Sequence, residues 1–269
     1  MPLAICATPI GNLDDVTLRV LGELREADLV LCEDTRRTRI LLDRHGIAAR
    51  LESYHRHNEA AKTSRALRRL QEGERIALVS DAGLPGVNDP GARLIAAAVG
   101  AGHEVTVLPG ASAVETALVA SGLGADRYQF VGYLPRRVGD LRAFAESLAR
   151  WPGAVVAFES PRRLPGSLRA LADVSPGRMA AVCRELTKRY EEVVRGSLEE
   201  LADRFAEPPR GEVTLVLGPV ESPSAVLADD QALAAVSELV EAGAARGTAA
   251  EVVAKLTGAS RNALYRDSL

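Results

Sequence analysis

Ile76-Ala77-Leu78-Val79-Ser80-Asp81-Ala82-Gly83-Leu84-Pro85-Gly86-Val87-Asn88-Asp89-Pro90-Gly91 is the stretch that decides the fold of this chain. It opens as an apolar run of strand length. From Ser80 it becomes a loop of some twelve residues rich in glycine, proline and aspartate. A strand that feeds a helix needs a loop of only about 2–6 residues. The extra length points to a ligand. Glycine lets a backbone come close to one, and proline holds such a loop stiff, which lowers the ordering cost on binding.

The same theme recurs on either side. Apolar runs at 3–7, 29–32 and 105–108 also have strand length, and amphipathic stretches such as 15–26 and 58–72 lie between the strands. Strand–helix alternation of this kind predicts a parallel sheet with helices on its faces. Ligands of such sheets bind beyond the carboxyl ends of the strands. Two further glycine-containing loops sit there: Ala7-Thr8-Pro9-Ile10-Gly11-Asn12-Leu13-Asp14-Asp15 and Leu108-Pro109-Gly110-Ala111-Ser112-Ala113. None of the three is G-x-G-x-x-G or G-x-x-x-x-G-K-[ST], so a dinucleotide or P-loop nucleotide site is disfavoured.

Downstream, 130–134, 154–158, 179–184, 191–195 and 213–217 read as strands, and 137–150 and 197–205 as helices. The close succession of strands after 179 suggests antiparallel pairing. The fold class expected is therefore α/β, with two units: 1–121 with a mainly parallel sheet, and 122–218 with a mixed one. Gly122 and Gly124 mark the boundary. A Pro-containing linker, 219–230, leads to a helical tail, 231–269, with helical patterns at 231–245, 248–256 and 260–266.

Composition narrows the class. The chain has 269 residues, 47% of them hydrophobic, enough for a sizeable core. No apolar run approaches the roughly 20 residues that span a bilayer, and the first residues do not read as a secretion signal. Cys6, Cys32 and Cys183 lie far apart in strand-like runs and read as buried thiols of a cytoplasmic protein. The net charge of −3 gives no general pull toward nucleic acid. All but three of the 33 basic residues are arginine, and several cluster in pairs and triplets. A GC-rich genome alone would produce this, so the clusters count as phosphate contacts only beside other signs of RNA.

Charged groups follow several strands. In Cys32-Glu33-Asp34-Thr35-Arg36, Asp34 or Thr35 can cap the next helix; alternatively a carboxylate there positions a hydroxyl or takes its proton. Ser53-Tyr54-His55-Arg56-His57-Asn58-Glu59 has two histidines but no further ligand nearby, so no metal site is expected. Phe158-Glu159-Ser160-Pro161-Arg162-Arg163 and Arg184-Glu185-Leu186-Thr187-Lys188 repeat the pattern.

Taken together, A-T-P-I-G-N-L-D-D, C-E-D-T-R, S-Y-H-R-H-N-E, S-D-A-G-L-P-G-V-N-D-P-G, P-G-A-S-A, V-G-Y-L-P-R, F-E-S-P-R-R, R-E-L-T-K and the closing N-A-L-Y resemble the ribosomal RNA small subunit methyltransferase I family, within the tetrapyrrole methylase superfamily. The resemblance runs from Ala7 to Leu264. Leu84, Asn88 and Ala111 depart from the usual family residues. It implies two α/β domains with S-adenosylmethionine between them, a homodimer, and methylation of a cytidine 2′-oxygen in 16S rRNA of the 30S subunit, at the decoding centre. The cofactor contacts expected are Pro9, Gly11, Asp81, Ala82, Gly83, Gly86, Ser112, Ala113 and Phe158. Candidate proton acceptors are Glu33, Asp34, Glu185 and a Lys188 of lowered pKa. Candidate RNA contacts are Arg36, Arg37, His55, Arg136, Arg137, Arg162 and Arg261. Two other readings remain open: a tetrapyrrole methyltransferase, whose first loop typically carries the G-P-G-D absent here, and a DNA-binding regulator using a helix-turn-helix within 248–266.

Overall fold

The computed structural model describes residues 3–124, 126–148, 151–220, 229–257 and 259–268. The expected linker, 219–230, lies mostly outside them. Five strands, β1 (Leu3–Cys6), β2 (Leu29–Cys32), β3 (Leu51–Ser53), β4 (Ile76–Val79) and β5 (Val105–Leu108), form a parallel sheet in the order β3-β2-β4-β1-β5. Successive side chains of a strand point to opposite faces, and both faces here are covered. Ala4, Cys6, Val30, Cys32, Ala77 and Val79 pack on Val20, Leu21 and Leu24 of α1 (Leu18–Glu26) and Leu42 of α2 (Thr35–Arg44). Leu3, Ile5, Leu29, Leu31, Ile76 and Leu78 pack on Ala66 and Leu70 of α3 (Glu59–Gln71) and Leu94 and Ala98 of α4 (Ala92–Gly100). Burial on both sides is why these strands read as unbroken apolar runs.

This order fixes where a ligand can enter. The helix after β1 covers one face and the helix after β4 covers the other, although the two strands are neighbours. The connections therefore diverge between them, leaving a crevice at their carboxyl ends. The loops that begin at Ala7 and Ser80 border it.

A second sheet has the order β6-β7-β10-β8-β9, from β6 (Tyr128–Tyr133), β7 (Ala154–Glu159), β8 (Met179–Arg184), β9 (Glu192–Ser197) and β10 (Val213–Leu217). β6 and β7 are parallel; the other pairs are antiparallel. One face packs on α6 (Val138–Leu148), α7 (Leu164–Ala172) and α8 (Leu198–Arg204). A capping box between Ser197 and Glu200 starts α8. The opposite face, Val156, Ala181, Cys183 and Val216, packs on Val114 and Ala117 of α5 (Ala113–Ser121). Helix α5 thus belongs to the first unit by chain position and to the second sheet by packing. Arg178 ties this half together from inside, donating to the carbonyls of Leu148, Gly153 and Gly218. Burial pushes its pKa down to about 10.

The tail holds α9 (Asp229–Glu241), α10 (Arg246–Thr257) and α11 (Arg261–Asp267). Ala232, Val236, Ala249, Ala250, Val253 and Leu264 form a small core of their own.

Candidate active site

The three glycine-containing loops meet. Thr8 and Gly83 exchange backbone hydrogen bonds of 2.9 and 3.0 Å as an isolated antiparallel bridge. The Thr8 hydroxyl donates to the Ser80 carbonyl at 3.0 Å. Gly83 has φ +77°, and a Cβ placed on it would lie 3.6 Å from the Ala111 carbonyl and 3.8 Å from Ile10 Cγ2. Side chains rarely adopt that backbone. The gap between the loops stays free of side-chain bulk as a result.

Around this meeting point opens a cleft of about 1370 Å³, lined by all three loops and by β6, β7, β8 and β10. A side pocket of about 270 Å³ adjoins it. Ile10, Arg37, Asp81, Ala82 and Glu212 line both, and the 3.4 Å ion pair between Arg37 and Asp81 stands between them. Of the expected cofactor contacts, Asp81, Ala82, Gly83, Ser112, Ala113 and Phe158 line the main cleft, and Pro9 and Gly11 the side pocket. Gly86 does not line either. It has φ +86° and faces Ile95 of α4, so its role is in the loop's own fold.

The first loop is held from the other half of the chain. Gly11 abuts the backbone carbonyl of Leu186 and the side chain of Lys188, and Asn12 N donates to Thr187 Oγ1 at 3.0 Å. The receiving loop is strained: Glu185 and Thr187 are non-glycine residues at φ +50° and +64°.

The four candidate proton acceptors have different fates. Glu33 lines the cleft, and its carboxylate makes no hydrogen bond or ion pair among the described residues. Burial raises its pKa, helped by the charge of Asp81 and opposed by Arg56, His55 and Arg37. Asp34 caps α2, accepting from Arg36 N at 2.8 Å, and its side chain also meets the Arg36 guanidinium. Glu185 accepts from Lys188 Nζ and Glu212 N, both at 2.9 Å. Lys188 corrects an expectation. Burial would lower its pKa, but the ion pairs to Glu212 and Glu185 outweigh that and raise it. The ion pairs thus favour the charged form of Lys188, against the lowered pKa a proton acceptor needs.

Asp89 and Arg56, which were not among the expected contacts, also line the cleft. Burial, and then the charge of Glu33, push the Asp89 carboxyl up to about 6. Arg56 donates to the Asn88 carbonyl at 2.8 Å. Both lie inside quoted motifs, at strand ends that face the crevice. Glu159, at the end of β7, is also in the cleft wall. Its side chain is fully buried and bound to Arg163 at 2.5 Å, Ser167 Oγ at 2.6 Å and Ser160 N at 2.6 Å.

Of the expected RNA contacts, Arg37 and Arg136 line the cleft, and Arg137 is exposed beside it in sequence. Arg36 is exposed on α2 and Arg162 is exposed just before α7; neither lines the cleft. His55 is half-buried, with Nε2 3.2 Å from Asn58 Nδ2 and a buried Nδ1 that has no partner among the described residues. Arg261 opens α11 in the tail.

Comparison with known proteins agrees with this architecture. The model of the family described as Tetrapyrrole (Corrin/Porphyrin) Methylases matches residues 2–202. A protein of Mesorhizobium japonicum named "Ribosomal RNA small subunit methyltransferase I" is 45% identical, with 98% of this chain and 90% of the relative covered. One of the same name from Streptococcus pyogenes serotype M1 is 38% identical, with 98% and 93% covered. Among solved structures, the methyltransferase CobJ superposes with a TM-score of 0.61 at 24% identity, over 81% of this chain and 94% of that one. A Thermus thermophilus uroporphyrin-III C-methyltransferase complexed with S-adenosylhomocysteine superposes with a TM-score of 0.59 at 21% identity, over 82% and 98%. These last two speak for the fold alone. The chain belongs to the tetrapyrrole methylase superfamily and, within it, to the ribosomal RNA small subunit methyltransferase I family.

Proposed function

We propose that this protein is an S-adenosylmethionine-dependent methyltransferase of ribosomal RNA, and that it methylates the 2′-oxygen of a cytidine in 16S rRNA at the decoding centre. The observation that carries this reading is the unpaired Glu33 carboxylate in a cleft lined by all three glycine-containing loops. The methyl donor is S-adenosylmethionine. The cleft suits it: the space at Gly83 is one a side chain would fill, and Asp81, Asp89 and Glu115 give the walls an acidic side for a sulfonium cation. When bound it supplies an electrophilic methyl group.

The protein's own part is placement and proton handling. Ala82, Gly83, Ser112, Ala113 and Phe158 hold the donor, with Pro9, Gly11 and Asp81 at its side. Orientation of two reacting groups contributes about 7–11 kcal/mol. Glu33 accepts the ribose proton, worth a factor of about 10²–10⁴. Its raised pKa brings it closer to the working pH. Arg136 and Arg137, with the unforeseen Arg56, contact phosphates near the cleft. Arg37 positions Asp81, while Arg36, His55, Arg162 and Arg261 extend the RNA surface. The units 1–121, 122–218 and 231–269, a homodimer and a cytoplasmic location complete the reading. No helix among the described residues is long and apolar enough to cross a membrane.

Labelled S-adenosylmethionine offered with 30S subunits, a free RNA oligonucleotide or a uroporphyrinogen tests this. Label should enter 30S RNA, be recovered as 2′-O-methylcytidine, and fall steeply with salt. Label on the tetrapyrrole alone would overturn it.

A further inference from the structure

The cleft carries an aromatic side chain, Tyr133, that the cofactor contacts do not use. Tyr133 closes β6 and is 59% exposed although it lines the cleft. Its ring meets that of Phe158 edge to face, at 5.7 Å between centroids and 64° between planes. Phe158 in turn meets Phe130 at 4.9 Å and 64°. Phe130 and Phe158 pack with Ile10, Ala111 and Ala113 on the apolar floor under the loops. Tyr133 lies outside that floor. Phe158 therefore links the apolar floor beneath the glycine-containing loops to the exposed ring of Tyr133.

The backbone is shaped to present this ring. The register of β6 on β7 slips between Phe130 and Tyr133. Gly132 sits in the slip at φ +66°, and a Cβ there would lie 3.3 Å from Asn88 Oδ1. Bulges of this kind re-aim side chains next to active sites. An exposed tyrosine held by a bulge, an aromatic edge contact and a close approach from the second loop is a fixed flat surface. Arg136, three residues on, lines the same cleft and makes no ion pair among the described residues. The cleft, at about 1370 Å³, also exceeds the roughly 300–1,000 Å³ of a site for one small ligand.

We propose that Tyr133 is a stacking platform for a nucleobase splayed out of the RNA, with Arg136 on an adjoining phosphate. The proposal rests on the rRNA-methyltransferase reading and adds how the target nucleotide is held. Unstacked bases are recognised on aromatic faces in this way, and placing the base there fixes the ribose of the same nucleotide.

The test is methylation of 30S subunits, with S-adenosylmethionine affinity measured by calorimetry. Because stacking is sequence-tolerant and strong, Tyr133→Ala should lower kcat/KM roughly 5- to 150-fold. Tyr133→Phe and Tyr133→Trp should keep most of the wild-type value, whereas Tyr133→Leu, similar in bulk but without a π-face, should resemble Tyr133→Ala. Cofactor affinity should be unchanged in all four. The platform is overturned if Tyr133→Ala equals wild type, if Leu rescues as well as Phe, or if cofactor affinity drops in step, which would assign the ring to the donor's adenine. A wild-type protein that binds S-adenosylmethionine yet leaves 30S subunits unmethylated would sink the RNA reading and the platform with it.

Discussion

Gly11 approaches Lys188 so closely that a Cβ on the glycine would lie 2.5 Å from the lysine Cγ and 2.8 Å from the Leu186 carbonyl. The lysine chain is able to move aside, but the carbonyl is backbone and is not. Gly11→Ala should therefore push the first loop off the strained 184–188 loop. Overpacking of this sort costs about 1–3 kcal/mol. A lower melting temperature together with weaker S-adenosylmethionine binding is expected, read by calorimetry. Unchanged values for both would show that the two loops separate at no cost.

Arg163 is the only cation paired with the fully buried Glu159 side chain among the described residues. Arg163→Met leaves that carboxylate on Ser160 N and Ser167 alone. Breaking a buried pair on one side costs roughly 3–5 kcal/mol. Arg163 keeps 28% of its side chain exposed, so the lower end is expected. Adding Glu159→Gln to Arg163→Met should recover most of the loss in urea unfolding. A double variant as weak as the single one would place the damage elsewhere, for instance in the Arg163 bonds to the Leu134 and Pro135 carbonyls.

Asp89 makes stability depend on pH. Its carboxyl rises from an ordinary 3.8 to about 6 in the folded protein, through burial first and the charge of Glu33 second. Between those values the folded chain holds a proton that the unfolded chain has released. Stability from this group is complete below about 4 and falls as pH rises toward 6. Asp89→Asn removes the cost of ionisation, so the variant should melt higher than wild type at pH 7.5 and alike near pH 4. Glu33→Gln should move the wild-type decline to lower pH. Parallel melting curves of wild type and Asp89→Asn across pH 4–7.5 would contradict this.

Much of the fold was legible because strands buried on both faces must be apolar throughout; 29–32 and 76–79 show it plainly. Leu51–Ser53 is harder, being three residues long with one apolar side chain. Helix α7 is hidden by Pro165 and Gly166, which read as a turn; in the first turn of a helix the proline is tolerated. At the site, Glu33, Asp34 and Glu185 look alike in sequence, since each follows a strand. What separates them is contact: one carboxylate caps a helix, one binds a lysine and a backbone amide, and one is left free. The raised pKa of Asp89 is not legible in sequence because it comes from burial first and then from the charge of Glu33, which is far away along the chain.

The tail should behave as its own unit. Its buried residues, Val236, Ala250 and Leu264 among them, pack on one another. Removing 229–269 should leave the melting temperature and S-adenosylmethionine affinity of the remainder near wild type, while weakening binding to 30S subunits. A truncated protein that is destabilised and no longer binds the cofactor would instead make the tail a structural part of the core.

Helix α5 constrains how such a chain can be divided or recombined. A cut at Gly122 would strip Val114 and Ala117 from Val156, Ala181, Cys183 and Val216, leaving both fragments with a bare apolar face. Grafting the second half onto a relative's first half should succeed with a junction at Pro109–Gly110, ahead of the helix, and fail at the glycines behind it. The unit of exchange is thus offset from the visible seam in the sequence by one helix, and most of the third glycine-containing loop travels with the sheet it faces.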